Sequence, residues 1–217
     1  MLVIALTTIP PRFGQLPQVL DALTTQGADR VALVVPRRYA RFDPAPLPAL
    51  PEGVTLLETG TDPGPAGKLL APAAAFPGAD ILCCDDDWRY RPGWAAAFIA
   101  ERKRQGTGRV IAGSTWPGER IGRRGGTIVQ GFAGVLVPGA QAGRIPPPPP
   151  EAWAVDDIWL SGWFAGLGLE IVEAPGARAL CSPLDSPGAL QQTTPRDRAN
   201  RTAAALIHAR FGIWPEV

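Results

Sequence analysis

Four short apolar runs, Leu2–Leu6, Val31–Val35, Val54–Leu57 and Ile81–Cys84, restrict the first ninety or so residues of this 217-residue chain to few folds. Each is too short for a core helix, so each reads as a strand, with Leu2–Leu6 and Ile81–Cys84 as buried ones. Between the first two lies Leu16–Thr24, with Leu16, Val19, Leu20 and Leu23 at helical spacing. Strand, helix, strand over such distances predicts α/β architecture: a mainly parallel sheet with crossover helices, in one domain. Pro10 and Pro11 end the first strand and stiffen its loop, and the proline-rich stretch Pro36–Pro51 reads as a surface loop.

Downstream, Leu69–Phe76 is expected to be a short helix that holds Pro72 only within its first turn. Gly93–Gln105 reads as a helix burying Trp94, Phe98 and Ile99, and Val110–Ser114 as a strand. Trp116–Gly126, polar and rich in Gly and Arg, reads as a mobile loop over a site. Ile128–Val137 contains Gln130-Gly131-Phe132-Ala133-Gly134, whose glycines indicate a bulge or a close backbone approach to ligand. Pro146–Pro150 is a polyproline II spacer. A helix from Asp156 to about Leu167, a strand Glu170–Glu173 and a helix Ala199–Phe211 complete the pattern.

Charge excludes little but points away from polyanions. A formal net charge of +1 gives no electrostatic case for nucleic acid or an anionic membrane surface. No run approaches membrane-spanning length, and Met1–Leu6 is too short for a signal peptide. Three cysteines without metal-type spacing read as reduced, buried thiols of a cytoplasmic protein.

Chemistry concentrates at two acidic clusters. The strand Ile81–Cys84 stops at Asp85-Asp86-Asp87, three carboxylates that repel one another in a poor strand-forming context. Carboxyl ends of strands are where α/β sheets bind ligands. Alternation along a strand would turn Asp85 and Asp87 one way and Asp86 the other, giving two hard oxygen ligands suited to Mg²⁺ or Mn²⁺. The triplet also fits a solvated acidic turn before the helix at Gly93. The second cluster, Asp156-Asp157, opens a helix. One carboxylate suffices as a cap, which leaves the other without a structural reason. Between the clusters in sequence, Thr61-Asp62-Pro63-Gly64-Pro65-Ala66-Gly67-Lys68 is a glycine-rich loop into a helix, a phosphate-binding context. It departs from the Walker pattern, with Asp62 where that motif needs Gly and Leu69 where it needs Ser or Thr. A surface turn bearing a lysine is the plainer reading. His208, alone on an alanine-rich helix, reads as packing or surface.

The strand ending in Thr7-Thr8-Ile9-Pro10, the Asp85-Asp86-Asp87 strand end and the later Asp156-Asp157-Ile158 resemble GT-A glycosyltransferases. The likeness is to small bacterial family-2-like enzymes and the exostosin-type transferase domain, over Leu2 to about Leu167. It implies a GT-A, Rossmann-like mixed sheet, with a nucleotide-binding half over 1–90 and an acceptor half with a C-terminal helix over 91–217. The aspartate triplet is similar to the family's DxD motif, implying that Asp85 contacts the ribose and Asp87 binds Mn²⁺ or Mg²⁺ on a diphosphate. By the same resemblance Thr7, Thr8 and Arg12 belong to a nucleotide-binding first loop, and Asp156 and Asp157 fall near the reacting sugar. The glycine-rich loop and its short helix lead directly into the aspartate strand and share its sheet edge, so Asp62, Lys68 and Asp86 join the nucleotide site. His208 is the one candidate for the late metal-site histidine of some GT-A families. The implied activity is metal-dependent hexosyl transfer from a nucleotide sugar, UDP first, to a glycan or other hydroxyl acceptor. Two rivals stand beside it: a non-catalytic nucleotide-sugar or glycan-binding module, and an aspartate-dependent phosphatase, whose Asp-x-Asp-x-Thr/Val pattern meets Arg89 here.

Overall fold

The computed structural model describes residues 1–185, 187–190 and 196–217. Strand β1 (Leu2–Thr7) leads through a 3₁₀ turn at Pro10–Arg12 into α1 (Leu16–Thr24), and β2 (Arg30–Pro36) and β3 (Val54–Thr59) follow. Helix α2 (Gly67–Ala75) packs back before β4 (Asp80–Cys83) and the short β5 (Trp88–Tyr90). Then come α3 (Trp94–Gln105), β6 (Val110–Ala112), β7 (Thr115–Pro117), β8 (Thr127–Val129) and β9 (Val135–Val137). The chain continues through α4 (Gly139–Ala142), α5 (Asp156–Gly166), β10 (Ile171–Glu173), α6 (Pro175–Arg178), β11 (Cys181–Pro183) and α7 (Arg196–Phe211).

Seven strands form one sheet in the order β10-β6-β9-β4-β1-β2-β3, with β5–β11 and β7–β8 as separate two-stranded ribbons. All pairings in the large sheet are parallel except those of β9, which runs against both β4 and β6. Side-chain alternation divides the core between the two faces. Val3, Ala5, Ile81 and Cys83 meet α2, α5 and α7, whereas Ile4, Leu6, Leu82 and Cys84 meet α1 and α3.

Several expectations change. Helix α2 begins two residues early because a 3₁₀ turn at Gly64–Ala66 runs straight into it, and Pro72 becomes its sixth residue, beyond the first turn. Pro72 has no N–H for the Lys68 carbonyl, and the buried Cys83 thiol donates to that oxygen instead, at 3.5 Å. In place of a bulge, the glycine-bearing stretch Ile128–Val137 holds a 3₁₀ turn at Gly131–Ala133 between β8 and β9. Gly134 adopts φ +99°, and a Cβ there would lie 2.5 Å from the Trp94 ring, which accounts for the glycine. Trp116–Gly126 does not line the cavity at the strand ends. It forms the β7–β8 ribbon and packs on the C-terminal tail, with Arg123 3.3 Å from Glu216 and Arg124 N–H donating to the Pro215 carbonyl. None of the helices among the described residues is long and apolar enough to cross a membrane.

Candidate functional site

Strand β4 ends at Cys83, so the aspartate triplet occupies the turn between β4 and β5, beyond the regular alternation. There it lines a cavity of about 450 Å³ at the carboxyl ends of β1, β2 and β4. Asp86 turns inward and is 3% exposed. Its carboxylate accepts from the Thr8 hydroxyl at 2.7 Å and from Arg12 Nη1 at 2.5 Å. Arg12 Nη2 also lies 3.1 Å from Asp87 Oδ2, so one guanidinium holds two neighbours that would otherwise repel. Burial pushes the Asp86 carboxyl up to about 6 against the opposing pull of Arg12 and Thr8.

Asp85 points the other way, to Lys68, with Nζ 2.6 Å from its Oδ1. The same ammonium lies 3.0 Å from Asp156 Oδ2. Lys68 is the second residue of α2 and only 3% exposed, not a lysine displayed by an open loop. Burial alone would favour the neutral amine, but Asp156, Asp85 and Asp157 more than offset it and hold the Lys68 pKa well above the ordinary value. The lysine thus ties the acidic turn after β4 to the first turn of α5.

Neither aspartate of the second cluster caps its helix. Val155 is the N-cap residue and no side chain closes the cap; Asp156 and Asp157 are the first two helical residues. Both gain from the helix N-terminus electrostatically, and their oxygens are used elsewhere. Asp156 faces Lys68, while Asp157 Oδ1 accepts the Gly131 N–H at 3.0 Å. Burial and the charge of Asp156 push the Asp157 carboxyl up to about 7, with Lys68 acting against them. Gly131 is required at this spot by space: a Cβ would fall 2.5 Å from Lys68 Nζ and 3.3 Å from Asp157 Oδ1.

Thr7, Thr8, Arg12, Asp62, Lys68, Asp85, Asp86, Asp87, Asp156 and Asp157 all line this one cavity. Asp62 spends its two oxygens on backbone, accepting from Ala40 N–H and Gly64 N–H at 2.9 Å each. His208 lies elsewhere, at the end of α7, with Nδ1 2.7 Å from the Ile213 carbonyl. Trp153 is on the wall, donating from Nε1 to the Asp62 carbonyl at 3.1 Å, whereas Trp116 packs in the core away from it. The sequence reading missed Tyr39, Arg41 and Phe42, which bring the proline-rich loop to the cavity, and the wall around Gly188. The aromatic and cationic pattern Tyr39–Phe42 was the available signal. Arg41 donates to the Gly188 carbonyl at 2.7 Å, and the buried Tyr39 hydroxyl has no hydrogen-bond partner among the described residues.

No protein-family model and no curated protein sequence matches the chain. Solved structures do. A mannosyltransferase from Pyrobaculum calidifontis, solved with GDP-Man and Mn²⁺, superposes with a TM-score of 0.58 at 14% identity, over 95% of this chain and 69% of its own. Glucosyl-3-phosphoglycerate synthase from Mycobacterium tuberculosis, solved with Mn²⁺, UDP-glucose and phosphoglyceric acid, gives 0.61 at 12% identity, over 99% of this chain and 81% of its own. At these identities the likeness establishes the fold, a GT-A-type mixed sheet flanked by helices.

Proposed function

We propose that the chain is a metal-assisted glycosyltransferase that moves a sugar from a nucleoside diphosphate sugar to an acceptor hydroxyl. The observation that carries this reading is the convergence of Asp85–Asp87 and Asp156–Asp157 on one cavity at the strand ends. The neighbours' complexes with nucleotide sugars and Mn²⁺ support it from outside. Thr7, Thr8 and Arg12, with the unpartnered Tyr39 hydroxyl, would receive the nucleotide.

The donor set suits a cation only if the substrate contributes. Asp85 gives one oxygen to Lys68 and keeps its side chain 30% exposed, and Asp87 stands beside Arg12. Among the described residues no three His, Cys, Asp or Glu side chains group as a metal-holding set. Asp85 and Asp87 are the carboxylates that would hold such an ion, a hard cation such as Mg²⁺ or Mn²⁺. Bound there, Mn²⁺ or Mg²⁺ supplies positive charge to the departing diphosphate.

Asp157 is the group suited to move a proton. An acceptor oxygen forms its bond to the sugar's anomeric carbon as the carbon–diphosphate bond breaks, and the electron pair leaves with the diphosphate. The acceptor's proton goes to Asp157, whose pKa near 7 places it in the range where a general base is most effective. Lys68 and Asp156 hold position: the lysine fixes Asp85 on one side and Asp156 on the other, and its charge reaches the diphosphate at one remove.

The reading is tested by thermal shift with UDP and GDP, with and without Mn²⁺, and then by donor hydrolysis. A nucleoside diphosphate with Mn²⁺ at a hundredfold excess over its dissociation constant should stabilise the fold by about 2.7 kcal/mol. Asp87→Asn should remove the metal-dependent part and leave a folded chain. Absence of any metal-dependent shift would reject the assignment. Binding without turnover of any donor would leave a nucleotide-sugar-binding module.

A further inference from the structure

Between the two acidic clusters the cavity wall carries a pair of aromatic rings. Trp88 and Phe132 stack with centroids 4.2 Å apart and planes 18° apart, and both line the cavity. Trp88 follows Asp87, and Phe132 follows Gly131, whose N–H holds Asp157. The pair therefore spans from the diphosphate side to the residue assigned to take the acceptor's proton.

Its backbone is fixed from below. The Tyr90 hydroxyl accepts from the Asp85 N–H at 3.0 Å and reaches the Asp85 and Phe132 carbonyls at 3.1 and 3.0 Å. Trp94 Nε1 donates to the Ala133 carbonyl at 3.2 Å. Arg178 lies 5.2 Å from the Trp88 ring centroid and 5.4 Å from that of Phe132, a cation that strengthens the stack.

We infer that the Trp88–Phe132 pair is the acceptor platform and that the acceptor is an uncharged pyranoside, its apolar C–H face on the rings and a hydroxyl toward Asp157. This rests on the transferase reading for its role. The physical case is that aromatic faces carry partial negative charge and attract the C–H face of a sugar ring. An anionic acceptor fits poorly beside Asp85, Asp87, Asp156 and Asp157: Lys68 is committed to Asp85 and Asp156, Arg12 to Asp86 and Asp87, and Arg41 donates to the Gly188 carbonyl. Arg196 on the cavity wall is the cation such an acceptor would use.

The test is saturation-transfer NMR on the full chain with methyl α-D-glucopyranoside, methyl α-D-mannopyranoside and methyl β-D-galactopyranoside, with phosphoglyceric acid as the anionic comparison. Each is run with and without UDP or GDP and Mg²⁺. At least one glycoside should receive saturation at its ring C–H protons. Trp88→Leu and Phe132→Leu should each weaken that binding at least tenfold while nucleotide binding is retained, and Trp116→Leu should change neither. If a ring variant does not fold, ring-current shifts of the glycoside protons on the wild-type chain still read the contact. Failure of the wild type to bind any of the three glycosides overturns the proposal, as does undiminished binding by the ring variants. Binding of phosphoglyceric acid instead, lost in Arg196→Met, would also overturn it. Glycoside binding in a chain that binds no nucleotide would sink the transferase reading and leave the platform standing.

Discussion

Asp157 holds a carboxyl group whose two protonation states are close in free energy near neutral pH. Its folded value of about 7 exceeds the roughly 3.9 of an unfolded aspartate. Between those values the folded chain binds the extra proton, so this group makes stability fall as pH rises from about 4 to 7 and then level off. Asp157→Asn removes that slope while its amide oxygen can still accept the Gly131 N–H. The variant should melt above the wild type at pH 8, and the gap should close toward pH 4. Its turnover should fall by about 10²–10⁴-fold. A variant less stable than wild type at pH 8 would assign Asp157 to the fold instead. Arg12 is the contrasting case, because its partner Asp86 is buried and its carboxylate otherwise accepts from the Thr8 hydroxyl. Arg12→Met should cost about 3 kcal/mol in urea unfolding, the penalty of a buried carboxylate that loses its counter-charge. A loss under 1 kcal/mol would show that Asp86 stays neutral or reaches water.

At the scale of elements, α5 and α7 are held together by a glycine. A Cβ on Gly162 would meet Ile207 side-chain carbons at 2.4 to 2.6 Å. In an exposed helix Gly→Ala stabilises by about 1 kcal/mol, but here it overpacks a helix crossing. Gly162→Ala should therefore lower the melting temperature, and combining it with Ile207→Ala should cost less than the sum of the two single losses. The elements legible in the sequence were those whose signal is local. The four strands and α1 came through because their apolar runs and helical spacing sit within each segment, as Val3 to Leu6 and Leu16 to Leu23 show, although β3 is an edge strand with no buried residue and Leu56 40% exposed. Strands β5 and β11 are three residues each and exist only because they pair with each other. The same division runs through the site. Both acidic clusters could be seen in the chain, yet the partners that give them roles could not. Lys68, Gly131 and Arg12 reach them from 17, 26 and 74 residues away. The helix-cap expectation for Asp156 or Asp157 failed for this reason, since tertiary partners outbid the local backbone.

Across the whole molecule, the sheet joins its two parts along one seam. Strand β4, from the first ninety residues, pairs with β9, which arrives from the later chain in the opposite direction. Lys68 and Asp156 meet across the same boundary. A fragment of residues 1–90 would keep the parallel strands β4-β1-β2-β3, but Ile81, Leu82 and Cys83, all 1% exposed or less in the intact chain, would become a bare margin with unpaired backbone. Such margins recruit any strand they meet. Expressed alone, that fragment should form insoluble aggregates, and co-expression with residues 91–217 should return soluble, heterodimeric material. A soluble, monomeric fragment would show that β9 is dispensable to β4. The antiparallel insertion thus serves as a closure, covering the margin that the first ninety residues would otherwise present to water.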